Sequence, residues 1–94
     1  MKYFDWDNSK NVLLRARRGV GFEDIVYAIL NNQVLDIVRN KSAKYSHQMV
    51  CVVNIEDYVY LVPFVEEEEK LFLKTIIPSR KATRDYLVRK NKNG

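Results

Sequence analysis

With 94 residues, of which 47% are hydrophobic and 30% charged, the sequence has room for a single packed domain (1–94) and lies outside the compositional range of disordered chains. One Cys and one His exclude an internal disulfide and a structural zinc site, while three glycines and two prolines exclude collagen-like and linker-like repeats. The formal charge of +4 raises the expectation of a polyanionic partner.

Asp5, Asp7 and Asn8 interrupt the apolar stretch that a secretion signal needs, and no window reaches the roughly 18 apolar residues of a membrane span. A cytoplasmic protein without a membrane partner is therefore expected. Cys51, unpaired within Val50-Cys51-Val52-Val53, fits a reducing compartment as a small buried hydrophobe.

Tyr3 to Asp7 alternate bulky and acidic side chains, the period-two pattern of a short edge strand. Asp7 or Asn8 stands at an N-cap position before a helix over 9–18, which Gly19 stops by taking the left-handed position without steric cost. Phe22, Ile25, Val26 and Ile29 repeat at helical spacing, with Glu23 and Asp24 at the positive end of the helix dipole, so a second helix spans 22–31. Beyond it the period becomes two. Strands are expected over Val34–Val38, Gln48–Asn54, Tyr58–Val65 and Lys70–Ile77, the last three forming an antiparallel meander through short polar links. Pro63 has no N–H to give a ladder and belongs at an edge, a bulge or a strand start. Pro78 ends the last strand, Ser79 or Thr83 caps a helix over about 82–90, and 91–94 form a frayed tail. The order is β-α-α-β-β-β-β-α: an α+β domain with an antiparallel sheet of about four strands, two N-terminal helices and a C-terminal helix.

Charge is segregated along the chain. Lys10, Arg15, Arg17 and Arg18 occupy 10–18 without an acid, and Arg80, Lys81, Arg84, Arg89, Lys90 and Lys92 occupy 80–92 with only Asp85. Between them, Glu56, Asp57 and Glu66 to Glu69 stand against Lys70. The four consecutive glutamates cannot all point at one ion, so they are read as solvated charge and not as a metal site. Lys10, Leu14, Arg17 and Arg18 share one side of the first helix, where three cations could grip successive phosphates. A solvated helix face turned to the acidic segment explains the same pattern without a ligand.

Trp6, Asp7, Lys10, Arg17, Gly19, Val20 and Phe22 follow the spacing W-D-x-x-K-x-x-x-N-x-x-K-H-G-V-x-F of the BrnT family of bacterial toxins, whose fold is similar to that of RelE-type ribonucleases. Ile76 to Arg84 resembles the family's I-I-S-A-R-[RK]-A-[ST] segment, so the two matches bracket most of the chain. Leu14 replaces the family Asn, Arg18 the family His, and Pro78-Ser79 the Ser-Ala pair. The resemblance implies a RelE-like fold and a metal-independent endoribonuclease that arrests growth. It also implies a ribbon-helix-helix antitoxin as partner, with operator DNA bound only through the antitoxin complex. Within that resemblance Arg80 stabilises the transition-state charge, with Lys81 and Arg84 beside it. Lys10, Arg17, Arg18 and Lys81 bind RNA.

Metal-free RNA cleavage needs a base for the 2′-hydroxyl, cations for the phosphorane and an acid for the leaving oxygen. His47, whose unperturbed side chain titrates near neutrality, sits in Tyr45-Ser46-His47 before a strand, where a loop can present it. An inert loop histidine is the competing account. Tyr86 is a proton donor or a stacking ring by type, though a tyrosine packed on a sheet is commoner. The Gly-rich phosphate loop, Gly-x-Ser-x-Gly, Cys-x-x-Cys and His-Glu-x-x-His are missing, so other hydrolytic and redox chemistries lack their parts and no cofactor is expected. The alternative from another class is a non-catalytic nucleic-acid-binding module that uses the same basic faces. A third is an interaction protein whose basic ends pair with an acidic partner.

Overall fold

The computed structural model describes residues 2–42, 44 and 47–88. A short strand, β1 (Tyr3–Asp5), leads into α1 (Asn8–Arg18), and α2 (Phe22–Leu30) follows at once. Asp7 caps α1 by accepting from the Lys10 backbone N–H at 3.1 Å, and Gly19 closes it at φ 71°, its N–H donating to the Arg15 carbonyl. Both ends stop where local chemistry says they should.

The joint between the helices rests on Asn11, which is 7% exposed. Its Oδ1 accepts from the Phe22 backbone N–H at 2.7 Å, and its Nδ2 donates to both Glu23 carboxylate oxygens at 2.9 and 3.0 Å. A first-turn N–H of α2, which has no partner within its own helix, is thus satisfied from α1. Arg15 completes the joint through Glu23 at 2.8 Å and Asp24 at 3.3 Å. A Cβ at Gly21 would overlap the Arg15 guanidinium and stand 2.8 Å from the Asn11 Oδ1, so a larger residue there would displace the side chains that make this joint.

The Asn11 carboxamide first, then Glu23's own backbone N–H and the Arg15 guanidinium, hold the Glu23 carboxyl down at about 2, against its usual 4.5. A depressed carboxyl pKa stabilises the fold above the unfolded value and loses that contribution as pH falls through the folded one. The melting-temperature gap between wild type and Glu23→Gln is therefore expected to be full above about pH 4.5 and to close towards pH 2. Thermal melts of the two proteins across that range check it.

The sheet contains β2 (Val34–Arg39), β3 (Met49–Ile55), β4 (Tyr58–Glu66), β5 (Lys70–Leu73) and β6 (Ile77–Pro78), in spatial order β1-β5-β4-β3-β2 with β6 also on β4. The expected antiparallel meander is present as β3-β4-β5. The sheet is mixed, however, and has six strands where about four were expected, because β1 joins its edge parallel to β5, pairing Tyr3 with Lys70 and Asp5 with Phe72. Lys70 secures that pairing by an ion pair to Asp5 at 3.0 Å.

The strand expected over Lys70–Ile77 is two strands. Pro63 lies inside β4, opposite Val50, and its carbonyl accepts from the Lys74 N–H at 2.8 Å. The Pro63 nitrogen faces the same side without a hydrogen to donate, so the ladder cannot continue there. The chain leaves it over 74–76, sends Ile76 fully into the core and rejoins β4 at Tyr60 and Leu61. Pro63 is locally an edge residue within an interior strand.

Alternation along the strands divides the sheet into two faces. Cys51, Val53, Val62 and Leu73 point to α1 and α2, where they pack with Leu14, Phe22, Ile25 and Ile76. Val52 and Val59 point the other way, beneath a helix that starts as α3 (Arg80–Thr83) and continues as a π-helical turn over Arg84–Val88. This helix begins at Arg80, not at about 82, because Ser79 supplies the cap, accepting from the Ala82 N–H at 3.0 Å. Thr83, the other expected cap, instead accepts from the Val59 N–H at 2.9 Å and ties the helix to β4. The expected end of the helix at 90 and the tail 91–94 lie outside the described residues. Among the described residues no helix is long and apolar enough to cross a membrane.

Candidate functional site

The C-terminal helix covers only one end of its sheet face, where Leu35, Leu61, Tyr86 and Leu87 gather around Val52, Val59 and Ala82. Among the described residues the other end of the same face is uncovered. It forms a cleft of about 490 Å³ lined by Asp7, Lys10, Asn40, Gln48, Pro63, Phe72, Lys74, Thr75 and Ile77. Five parts of the chain meet there: the start of α1, the end of β2, the start of β3, the middle of β4 and the segment from β5 to β6.

The floor is apolar and the rim cationic. Lys70, Phe72 and Lys74 alternate along one strand, which places all three on one side. The Lys70 and Lys74 ammonium groups lie 5.5 and 5.2 Å from the Phe72 ring centroid, within cation–π range. Lys70 is committed to Asp5, which holds its pKa above the usual lysine value. Lys10 and Lys74 have no carboxylate partner among the described residues and remain available to an anion. Gln48, 6% exposed, stands on the open face, two residues before Val50 on the strand whose Val50 faces Pro63.

The residues singled out from sequence fall in several places. Lys10 lines the cleft. Arg17 and Arg18 are exposed at the far end of α1, about 10 Å further along the axis at 1.5 Å per residue. The side of α1 that these cations share with Leu14 is centred on that leucine, 7% exposed, and on Asn11, so it is the helix's packed side with cations at its margins and not an open cationic face. His47 is exposed in a turn beside Gln48 and is not among the cleft-lining residues; Tyr45 and Ser46 before it lie outside the described residues.

Arg80 is exposed at the first position of α3, also outside the lining. Lys81 pairs with Asp85 at 3.0 Å, and Arg84 lies 3.7 Å from the same carboxylate, so two of the C-terminal cations are partly neutralised locally. Tyr86 donates its hydroxyl to Asp36 at 2.7 Å and packs on the sheet, which fixes the helix across β2. Cys51 is buried, and burial pushes its thiol up to about 11, leaving it protonated and unreactive at neutral pH.

The two sequence motifs resolve mostly into folding roles. Trp6 stacks on Phe22 with centroids 5.7 Å apart, Asp7 caps α1, Gly19 ends it, and Val20 and Phe22 enter the core. In the second motif Ile76 is core, Ser79 a cap and Ala82 buried against the sheet. Only Lys10, of the first motif's cations, reaches the cleft.

Gln48, Phe72, Lys74 and Asn40 were not among the residues marked by sequence. The one available signal was Lys70-Leu71-Phe72-Leu73-Lys74, where a strand period puts two cations around an aromatic ring. Among the described residues no group of three or more His, Cys, Asp or Glu side chains is placed to hold a metal ion.

Fold and site together define a small α+β domain with a cationic, aromatic-floored cleft at the open end of its sheet. No family model matches the chain, nor does any curated protein or solved structure.

Proposed function

We propose that this domain is a RelE-like endoribonuclease acting as the toxin of a toxin–antitoxin pair, and that its substrate strand lies in the open cleft. The observation that carries this reading is the pairing of two uncommitted ammonium groups, Lys10 and Lys74, with the exposed end of a sheet floored by Phe72. Single-stranded nucleic acid is held by that combination, cations for the phosphates and an aromatic face for the bases. The arrangement of Trp6, Asp7, Lys10, Gly19 and Phe22 that resembles the BrnT family supports the toxin assignment, and with it a ribbon-helix-helix antitoxin as the neutralising partner.

In such a site the 2′-hydroxyl attacks the adjacent phosphorus in line, leaving a 2′,3′-cyclic phosphate and a 5′-hydroxyl. Lys10 and Lys74 stabilise the charge that gathers on the non-bridging oxygens. His47, next to Gln48 in the chain, and Arg80, at the start of α3, lie outside the cleft lining, and in this reading they act where the bound strand passes beyond it, His47 on a proton and Arg80 on a phosphate.

A second reading, an RNA-binding module without catalysis, is favoured by one observation. His47 and Arg80, the groups with the clearest chemical roles, are not among the cleft-lining residues.

The purified chain incubated with unstructured RNA separates the two. Cleavage that persists in EDTA and leaves cyclic-phosphate ends is the expected result. Arg80→Ala is expected to lower the cleavage rate about 10²–10³-fold, the usual cost of losing one charge-stabilising donor, while melting at the wild-type temperature. RNA that is bound but uncut establishes the second reading.

A further inference from the structure

β2 borders the sheet: it pairs with β3 and, among the described residues, with no other strand. A border strand offers backbone groups to any extended chain that passes, and β2 has six residues where β1, at the opposite border, has three. Register decides which of those groups face outward. Asn40 donates its N–H to the Gln48 carbonyl at 3.0 Å, which makes that couple a hydrogen-bonded pair of the antiparallel ladder. Bonded and non-bonded pairs alternate, so Ile37, opposite Cys51, exchanges no hydrogen bonds with β3, and its N–H points away from the sheet.

That N–H is already taken. It donates to Asp36 Oδ1 at 2.8 Å, while Asp36 Oδ2 accepts from the Tyr86 hydroxyl at 2.7 Å. One carboxylate thus links the C-terminal helix to the outer edge of β2 and sits where the carbonyl of an added strand would bond. The side chains beside it are apolar. Ile37 is 54% exposed and Val38 36%, and Ile37 lines an apolar groove with Val34, Cys51 and Phe64.

We propose that the outer edge of β2 is a self-association surface for a second copy of this chain, held closed by Asp36, with Tyr86 keeping Asp36 in the closed position. The inference does not depend on what the cleft binds. A second copy is the fitting occupant because the edge is complementary to itself. Antiparallel pairing of two β2 strands about a two-fold axis at Ile37 sets the two Ile37 residues opposite each other, each N–H meeting the other's carbonyl. The same pairing brings the two apolar grooves together across the axis. Asp36 obstructs it twice: its Oδ1 occupies the N–H at the axis, and in that register its carboxylate would face Val38 of the other copy, losing water without gaining a partner.

Sedimentation equilibrium of the full chain tests the proposal. Wild type is expected to dimerise only weakly, and Asp36→Val about 100-fold or more tightly, because one N–H in each copy is released from a charged acceptor. Valine suits an exposed strand position, so the variant should keep the fold. Tyr86→Phe retains Asp36 but removes its anchor, and should dimerise about tenfold more tightly than wild type. Adding Ile37→Pro to Asp36→Val should restore the monomer, since proline has no N–H to give and this position bonds nothing in β3. Amide exchange at Ile37 should slow as the concentration of Asp36→Val rises, which association through side chains alone would not produce.

A dimer constant for Asp36→Val equal to that of wild type, whether both are weak or both tight, overturns the proposal. A dimer that survives Ile37→Pro, or leaves exchange at Ile37 unchanged, shows that association runs elsewhere than through β2 and overturns it as well. Tyr86→Phe indistinguishable from wild type overturns the role given to Tyr86.

Discussion

Phe22→Ala is expected to lower stability by about 3–5 kcal/mol, the usual range for emptying a fully buried aromatic site. The residue is 0% exposed, stacks on Trp6 and lies among Leu14, Ile25 and Ile76. Its backbone N–H is also the group that Asn11 satisfies, so the cavity opens beside the joint that holds α1 to α2. In a domain of this size each kcal/mol moves the midpoint by about 4–8 °C, so the melting temperature should fall by tens of degrees. Phe22→Leu, which keeps most of the volume, should recover more than half of that loss. A midpoint change of only a few degrees in Phe22→Ala would mean that the two helices hold to the sheet without this contact. The effect is large because total stabilities are commonly only about 5–15 kcal/mol, and a chain with one Cys has no internal disulfide to compensate.

The double substitution Lys10→Ala with Lys74→Ala should weaken binding of single-stranded RNA by about 100-fold or more at low salt, since a hydrogen bond to a charged group contributes about 1.5–3 kcal/mol. It should also reduce the steepness of the salt dependence by about 1.4 log units per decade, given a slope of about 0.7 for each phosphate neutralised on a single strand. Melting temperature should change little, because neither ammonium is paired with a carboxylate among the described residues and exposed substitutions usually cost within about 0.5 kcal/mol. The control is Arg17→Ala with Arg18→Ala, which removes the same charge from the far end of α1. If that pair reduces RNA binding as much as the cleft pair does, net charge governs the interaction and the cleft does not.

Much of the fold is visible in local chemistry. The Asp7 cap, the Gly19 stop and the apolar spacing of Phe22, Ile25 and Ile29 set both helices within one or two residues of their observed ends. These signals act over three or four residues, which is why a linear reading captures them. The β3-β4-β5 meander is legible for a related reason: its links are short, and the tight turn through Glu56 and Asp57, both at positive φ, leaves neighbouring strands little choice of partner.

The site is legible only in part. Lys10 was marked by its charge and its place in a motif, but the same criteria marked Arg17 and Arg18, which the length of the helix carries away from the cleft. Phe72 and Gln48 carry no unusual local pattern, one an aromatic in a strand and the other an amide before one. They meet at the cleft because β5 lies next to β4 with β3 beyond it, because Pro63 interrupts the ladder so that Lys74 turns out of it, and because the C-terminal helix, as far as Val88, packs over the other end of the face.

Helix limits, strand identities and the α+β class were written in the order of residues, because capping and periodicity are short-range and each residue meets its partner within a turn. The parallel docking of β1 on β5, the choice of sheet face left open and the convergence of Lys10, Gln48, Phe72 and Lys74 were not, because each depends on contacts between residues tens of positions apart. Those contacts arise when hydrophobic burial selects one packing of the elements, and no short window of the chain contains that selection.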